Sequence, residues 1–294
     1  MKRFAFHFAL YFFIYPISFI PFFLLYVISD FFFLLMYYVF QYRKKVTYLN
    51  LKNSFPDKSE KELRKLSRSY YRFLCDVFLE TFKLLTISKN TLTKRVQFTD
   101  QFQSIFDDFY SKNVAVVSVM GHLGNWEWAG ASFPIQAKNN LFALYHPLSN
   151  SNFNALMLKI RTRFGGQMIP MKQLLRFVPE IKDSASVLCF IADQTPPPEH
   201  AVWLNFLNQD TPFFKGPAVL AKKMNWPVIF VSVERISRGQ YLVDAELISD
   251  YSSSMSESEI LKAWVSKLEK KIESQPAYWL WSHKRWKHQR KINS

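Results

Sequence analysis

Residues 113–130 read Asn113-Val-Ala-Val-Val-Ser-Val-Met-Gly-His-Leu-Gly-Asn-Trp-Glu-Trp-Ala-Gly130, and this stretch decides the fold. The apolar, β-branched run from Val114 to Val119 predicts a buried strand. Gly121 breaks it, and His122 follows directly. Gly124 and Asn125 are turn and N-cap residues with Glu127 in the following turn, so a helix is expected to open near Asn125. The strand thus delivers an imidazole at its carboxyl end, and the helix delivers a carboxylate five positions later. The chain has only 7 glycines, and Gly121, Gly124 and Gly130 all fall here. Backbone freedom is concentrated where a ligand can approach closely.

A histidine held by a carboxylate through one ring nitrogen keeps the other nitrogen as a base, and the carboxylate stabilises the imidazolium that forms. Neither Ser nor Cys adjoins His122, so the hydroxyl to be deprotonated is expected on the substrate, giving direct transfer without a covalent enzyme intermediate. Trp126 and Trp128 flank Glu127 and would exclude water. The same residues admit a plainer reading: a strand-end histidine at a turn, and a glutamate favoured by the helix dipole.

Composition narrows the class. At 294 residues the chain can bury one substantial core with an appendage, rather than a second large domain. Aromatic residues make up 18%, with 30 Phe, a load common where side chains meet lipid. The formal charge of +15 implies an anionic partner: nucleic acid, an anionic membrane leaflet or an acidic carrier protein. Cys75 and Cys189 offer neither a disulfide framework nor metal-ligand spacing, so no metal is expected.

From Phe4 to Phe40 the chain is apolar, with Asp30 its only formal charge. Lys2 and Arg3 precede it; Arg43, Lys44 and Lys45 close it. It is too long for a cleavable signal peptide and lacks a small-residue cleavage site. It exceeds one span of about 20 residues but is short for two spans and a turn. Pro16 and Pro21 should interrupt it, leaving a short interfacial arm and a tilted or re-entrant helix over Phe22 to Phe40. Residues 1–45 are therefore expected to anchor the chain in a membrane, and 46–294 to form the globular domain. A helix is expected from Tyr48 to a Phe55-Pro56 turn, then Ser59 and Glu62 form a capping box that opens a helix running to about Leu85. One face of that helix is apolar, and the other carries Lys61, Arg64, Lys65, Arg68 and Arg72, either a solvated face or a surface for anionic headgroups.

Downstream, strands are expected at Leu141–Tyr145, Val187–Ile191, Val228–Glu234 and Tyr241–Leu247. Helices are expected at Asn152–Phe164, ending at Gly165-Gly166, at an apolar stretch that Phe213-Phe-Lys-Gly-Pro-Ala218 enters and that runs to about Met224, and at Ile260–Ile272 beyond a Ser252-rich loop. This alternation predicts an α/β fold: a mixed, mainly parallel central sheet flanked by helices, with the N-terminal hydrophobic helical segment appended. His122 and Asp193 both follow expected strands immediately, where sites gather in such folds.

Gly121-His-Leu-Gly-Asn-Trp-Glu127 resembles the His-x4-Asp/Glu motif of the glycerolipid acyltransferase superfamily, in the form found in the late (secondary) acyltransferases of lipid A biosynthesis. Further blocks are similar in order: Asn50-Leu-x-x-Ser-Phe-Pro56; Arg161 near the end of its helix; Asp193-Gln194 after a strand; and Pro276, Trp281, His283, Arg285 and Lys287 near the C-terminus. His146 stands where the family has an arginine, and Ala277-Tyr278 replace a usual Glu-Gln. The resemblance implies transfer of a fatty acyl chain from acyl carrier protein to a hydroxyl of a lipid A precursor, at the cytoplasmic face of the inner membrane and without a cofactor. It casts His122 as base and Glu127 as its orienting partner, with Arg161, Asp193, Gln194, Asn125, Arg285 and Lys287 binding substrate. Another acceptor, such as a lysophospholipid or an amino-acid-based lipid, remains open, as does an inactive membrane-binding scaffold of the same fold. Basic residues interleaved with aromatics at the C-terminus also suit single-stranded nucleic acid, but the chain carries no nucleic-acid motif beside its anchor.

Overall fold

The computed structural model describes residues 10–251 and 254–290. Lys2, Arg3, the first positions of the apolar stretch (4–9) and Ser252 lie outside the described residues. The strands β1 (Val96–Phe98), β2 (Val116–Met120), β3 (Asn140–Tyr145), β4 (Gln167–Pro170) and β5 (Ser186–Ile191) precede a hairpin of β6 (Ala201–Phe206) and β7 (Gln209–Phe214). They are followed by β8 (Val228–Ser237) and β9 (Gln240–Ser249). Seven of them form one sheet in the order β1-β9-β8-β2-β5-β3-β4. All its pairs are parallel except β8 with β9. The mixed, mainly parallel sheet expected from the alternation is what forms.

Every residue of β2 is buried, which is why it reads as a continuous apolar run rather than an alternating one. Its side chains divide by parity. Val117 and Val119 join a core with Leu261, Trp264 and Leu268, whereas Val116 and Met120 join a second core with Phe102, Trp128 and Phe133. The helices that cover these faces are α1 (Tyr15–Phe19), α2 (Phe22–Leu34), α3 (Lys44–Ser54), α4 (Glu60–Lys83), α5 (Lys89–Arg95) and α6 (Asp100–Ser111). Then come α7 (Trp126–Gln136), α8 (Ser151–Thr162), α9 (Leu174–Ile181), α10 (Gly216–Met224) and α11 (Glu257–Ser274). Ser59 and Glu62 form the expected capping box of α4. The short strands β1 and β4, the hairpin and helix α6 were not legible in the sequence. The strands are of only three to six residues, and α6 is a helix rich in Phe and Asp.

The chain breaks after α1, before Pro21, and α2 continues as a π-helical turn over Leu35–Val39, so Phe22–Val39 is apolar and long enough to cross a membrane. The helix does not stand free. Tyr26 donates to Glu80 (2.8 Å), Ser29 donates to Asp76 (2.6 Å), and Asp30 pairs with Arg238 (2.9 Å). These three residues share one helical face at three- and four-residue spacing. The opposite face leaves Phe23, Val27, Phe31 and Leu34 exposed. Asp76 is almost fully buried and also takes Arg235 (2.8 Å) and Arg238 (2.7 Å), so a charge cluster lies under the docked helix.

Asp76→Leu removes the shared acceptor and strands two guanidinium groups. It is expected to lower the unfolding free energy by about 3 kcal/mol. Asp30→Asn, at the half-exposed edge of the same cluster, should cost under about 1 kcal/mol. Urea denaturation of the two variants side by side checks the ranking.

Candidate active site

In β2 and β5, paired in parallel, Met120 lies opposite Ile191. Two residues beyond each strand end are His122 and Asp193, so the sheet register alone brings together side chains 71 positions apart. His122 Nδ1 lies 2.6 Å from Asp193 Oδ1, and the His122 backbone N–H donates to Asp193 Oδ2 at 2.7 Å. Trp279 Nε1 donates to the same oxygen at 2.8 Å. Burial opposes ionisation of Asp193, but the His122 charge and these hydrogen bonds outweigh it and hold the carboxyl down at about 2. An ionised acceptor makes Nδ1 the donor of this pair, so Nε2 is the ring nitrogen turned away from Asp193. The amide of Gln194 stands 3.4 Å from Nε2, and the indole of Trp126 meets the imidazole edge-on at 4.9 Å.

The glycines of the turn explain this closeness. A Cβ on Gly121 would stand 2.6 Å from Leu268 Cδ1 and 3.1 Å from Asp193 Oδ2. Gly124 has φ +61° and lies against the Val233 carbonyl. Both make room for protein rather than for a ligand, contrary to the expectation from sequence. The C-terminal block closes the turn from outside: Gly124 N–H donates to the Tyr278 carbonyl at 2.9 Å, and Leu123 pairs with Trp279.

Glu127 is not the partner of His122. Its carboxylate is gripped in a fork by Arg161, whose Nε and Nη2 donate at 2.9 and 2.5 Å. Five-residue spacing across a turn places Glu127 in the first turn of α7, facing the last turn of α8, whereas the register hands the imidazole to Asp193. The result is two ion pairs in one site, His122–Asp193 and Arg161–Glu127.

The remaining expected residues divide. Gln194 is exposed beside the imidazole. Asn125 is fully buried as the N-cap of α7: its side-chain oxygen accepts from Trp128 N–H (2.9 Å) and its amide donates to Glu80 (2.7 Å), and it does not line the cavity. Arg285 is also fully buried and donates to the Pro212 carbonyl (2.7 Å) over the Phe213 ring; burial pushes its guanidinium down to about 10. It supports the Asp193–Thr195 loop from behind and does not reach the cavity. Lys287 is exposed and lies outside the cavity lining. His283, also in that block, accepts from Thr195 N–H at 3.4 Å; burial pushes its imidazole down to about 4, with Asp193 opposing. Sequence reasoning missed Trp279 as a ligand of Asp193 and Glu80 as a ligand of Asn125, since each pairing spans tens of residues.

His122, Glu127, Arg161 and Gln194 line the mouth of a cavity of about 600 Å³, with His146 and Tyr145 on the rim. Beyond them the walls are apolar: Met120, Ala129, Leu141, Val187, Cys189, Val231 and Val243, with Phe98, Phe102 and Phe133. The arrangement joins a base held in one tautomer to a slot suited to hydrocarbon. Among the described residues, no group of three or more His, Cys, Asp and Glu is arranged to hold a metal ion.

The sequence profile of the bacterial lipid A biosynthesis acyltransferases matches residues 1–288. The chain belongs to that family. No curated protein matches it. The α/β core, the His122-containing turn and the clamp by the C-terminal block all fall within the matched span, so the acyltransferase reading covers every group described above.

As an acyltransferase of this pairing, the protein should lose about 10²–10⁴ in turnover on Asp193→Asn, which releases the imidazole from its tautomer. Glu127→Gln and Arg161→Ala should resemble each other, and the double variant should be no slower than the worse single one, because they form one unit. Initial rates of acyl transfer read this; Glu127→Gln coupling to Asp193→Asn instead would reverse the assignment. Stability should fall as pH drops from 6.5 towards 4, because His283 binds its proton more readily unfolded than folded. Thermal melts of the wild type and His283→Gln across that range should show a flatter profile for the variant.

Proposed function

We propose that the protein moves a fatty acyl chain from an acyl carrier protein thioester to a hydroxyl of a lipid A precursor, at the cytoplasmic face of the inner membrane. The observation that carries this reading is His122, held by Asp193 through Nδ1 and presenting Nε2 beside Gln194, in the lining of an apolar cavity. The acyl chain enters the cavity and leaves its thioester carbonyl beside the imidazole. Nε2 takes the proton of the acceptor hydroxyl while the oxygen attacks the carbonyl carbon, and Asp193 stabilises the imidazolium. As the tetrahedral intermediate collapses, the C–S bond breaks and the carrier thiolate takes the proton from Nε2. The ester is formed and His122 is restored. Arg161 spends two of its five donors on Glu127 and lines the cavity mouth with the rest, where it can meet a phosphate or a developing oxyanion.

Charge supports an acidic donor. The +15 formal charge includes Lys61, Arg64, Lys65, Arg68 and Arg72, all exposed along α4 beside the docked helix. Acidic carrier protein and anionic headgroups are both drawn to such a surface. Helix α2 lies along the membrane rather than across it. A spanning α2 would drag its partners Asp76, Glu80 and Arg238 into hydrocarbon, whereas an in-plane helix buries Phe23, Val27 and Phe31 in the headgroup boundary and keeps the cluster out.

Mass spectrometry of lipids from cells with and without the protein should show one acyl chain missing from a lipid A precursor when it is absent, and His122→Ala should reproduce that loss while remaining folded. Purified protein given acyl carrier protein thioesters and acyl-coenzyme A thioesters should use the former. A changed phospholipid pool with unchanged lipid A would move the acceptor to another class.

A further inference from the structure

Gly130 sits inside α7, where glycine weakens a helix relative to alanine. Two ordinary reasons for keeping it are missing. Its φ is not in the left-handed region, and a Cβ built on it meets nothing within 4 Å. Gly121 and Gly124, by contrast, have protein pressed against them. What faces Gly130 is the cavity. Glu127, Gly130 and Phe133 follow one another at three-residue spacing along one face of α7, and all three line it. At 1.5 Å rise per residue, Gly130 lies about 4.5 Å and Phe133 about 9 Å beyond the mouth carboxylate. Phe133 packs with Phe102 and Phe98, which line the cavity with it; Phe133 and Phe102 are buried, whereas Arg161 is only partly buried and Gln194 is exposed. Across from the helix stand Met120, Val187, Cys189 and Val231 of the sheet.

We infer that Gly130 determines the length of acyl chain the protein accepts: its missing side chain keeps the inner half of the cavity open, and any larger residue there would shorten it. The inference rests on the reading of the cavity as the acyl site, and it adds the position at which length is set. It also accounts for a helix-weakening residue in a packed element, since helix stability is given up to hold space open.

The test compares the wild type with Gly130→Ala and Gly130→Leu, using acyl carrier protein thioesters of graded saturated chain length. Gly130→Leu should move the optimum to shorter chains. Each methylene denied the cavity should cost roughly fourfold in kcat/KM, so the longest good wild-type donor should lose about tenfold or more. The shortest donors should react at near wild-type rates. Both variants should melt at or slightly above the wild-type temperature, which separates a filled cavity from a damaged fold. An unchanged length profile in Gly130→Leu overturns the inference. Equilibrium binding of free fatty acids of graded length to the same proteins keeps the two readings apart. A length cut-off that shortens in Gly130→Leu in a protein that transfers no acyl group would sustain the inference and sink the proposed reaction. A cut-off that does not move sinks the inference whatever the activity.

Discussion

The Asp193 carboxylate accepts from the His122 ring, the His122 backbone and the Trp279 indole while being almost wholly shielded from water. A buried carboxylate is tolerable only when its lone pairs are filled, and here the filling groups are also the site. One donor is the imidazole that lines the cavity, one is the backbone of the turn that carries it, and one is the C-terminal block. Packing of the sheet ends, the absence of a side chain at Gly121 and the return of the chain at Trp279 all serve this one anion. The tautomer of His122 follows from it, and so does the direction in which Nε2 is presented.

A second buried carboxylate organises the other side of the turn. Glu80, whose carboxyl burial raises, accepts from Tyr26 of α2, Tyr241 of β9 and Asn125 at the start of α7. Its backbone carbonyl accepts from Trp128 at 2.7 Å. The apolar N-terminal helix α2 is thereby tied, through one side chain, to the cap of the helix that carries Glu127 and Gly130. The N-terminal helix α2 and the sheet-bearing body are one packed unit.

Protein interiors close their voids because unfilled volume forfeits dispersion contacts. A cavity of about 600 Å³ beside the central sheet therefore needs walls that cannot collapse. The phenylalanine cluster of Phe98, Phe102, Phe106 and Phe133 supplies them, its rings tilted or edge-on at 4.3 to 6.4 Å. The aromatic density of the sequence divides in three dimensions, part lining the interior slot and part left exposed on α2.

Sequence by itself determined the strand–turn–helix of residues 113–130, the alternation that makes a mixed parallel sheet, the capping box of α4 and the Pro21 break, because each depends on neighbours within a few residues. It also singled out His122, Glu127, Arg161 and Gln194, which the fold gathers in the lining of one cavity, and Asp193, which it sets behind the imidazole. Who pairs with whom was decided only by the tertiary structure. Proximity along the chain favoured Glu127 for the imidazole, but the β2–β5 register set Asp193 beside it and left Glu127 to Arg161. Asn125, Arg285 and Lys287 looked equally suited to substrate, yet two are buried as supports and the third lies outside the cavity. Residue type is carried by the sequence, whereas burial and partner are properties of the packed sheet ends, where residues 71 and 86 positions apart meet within a hydrogen bond.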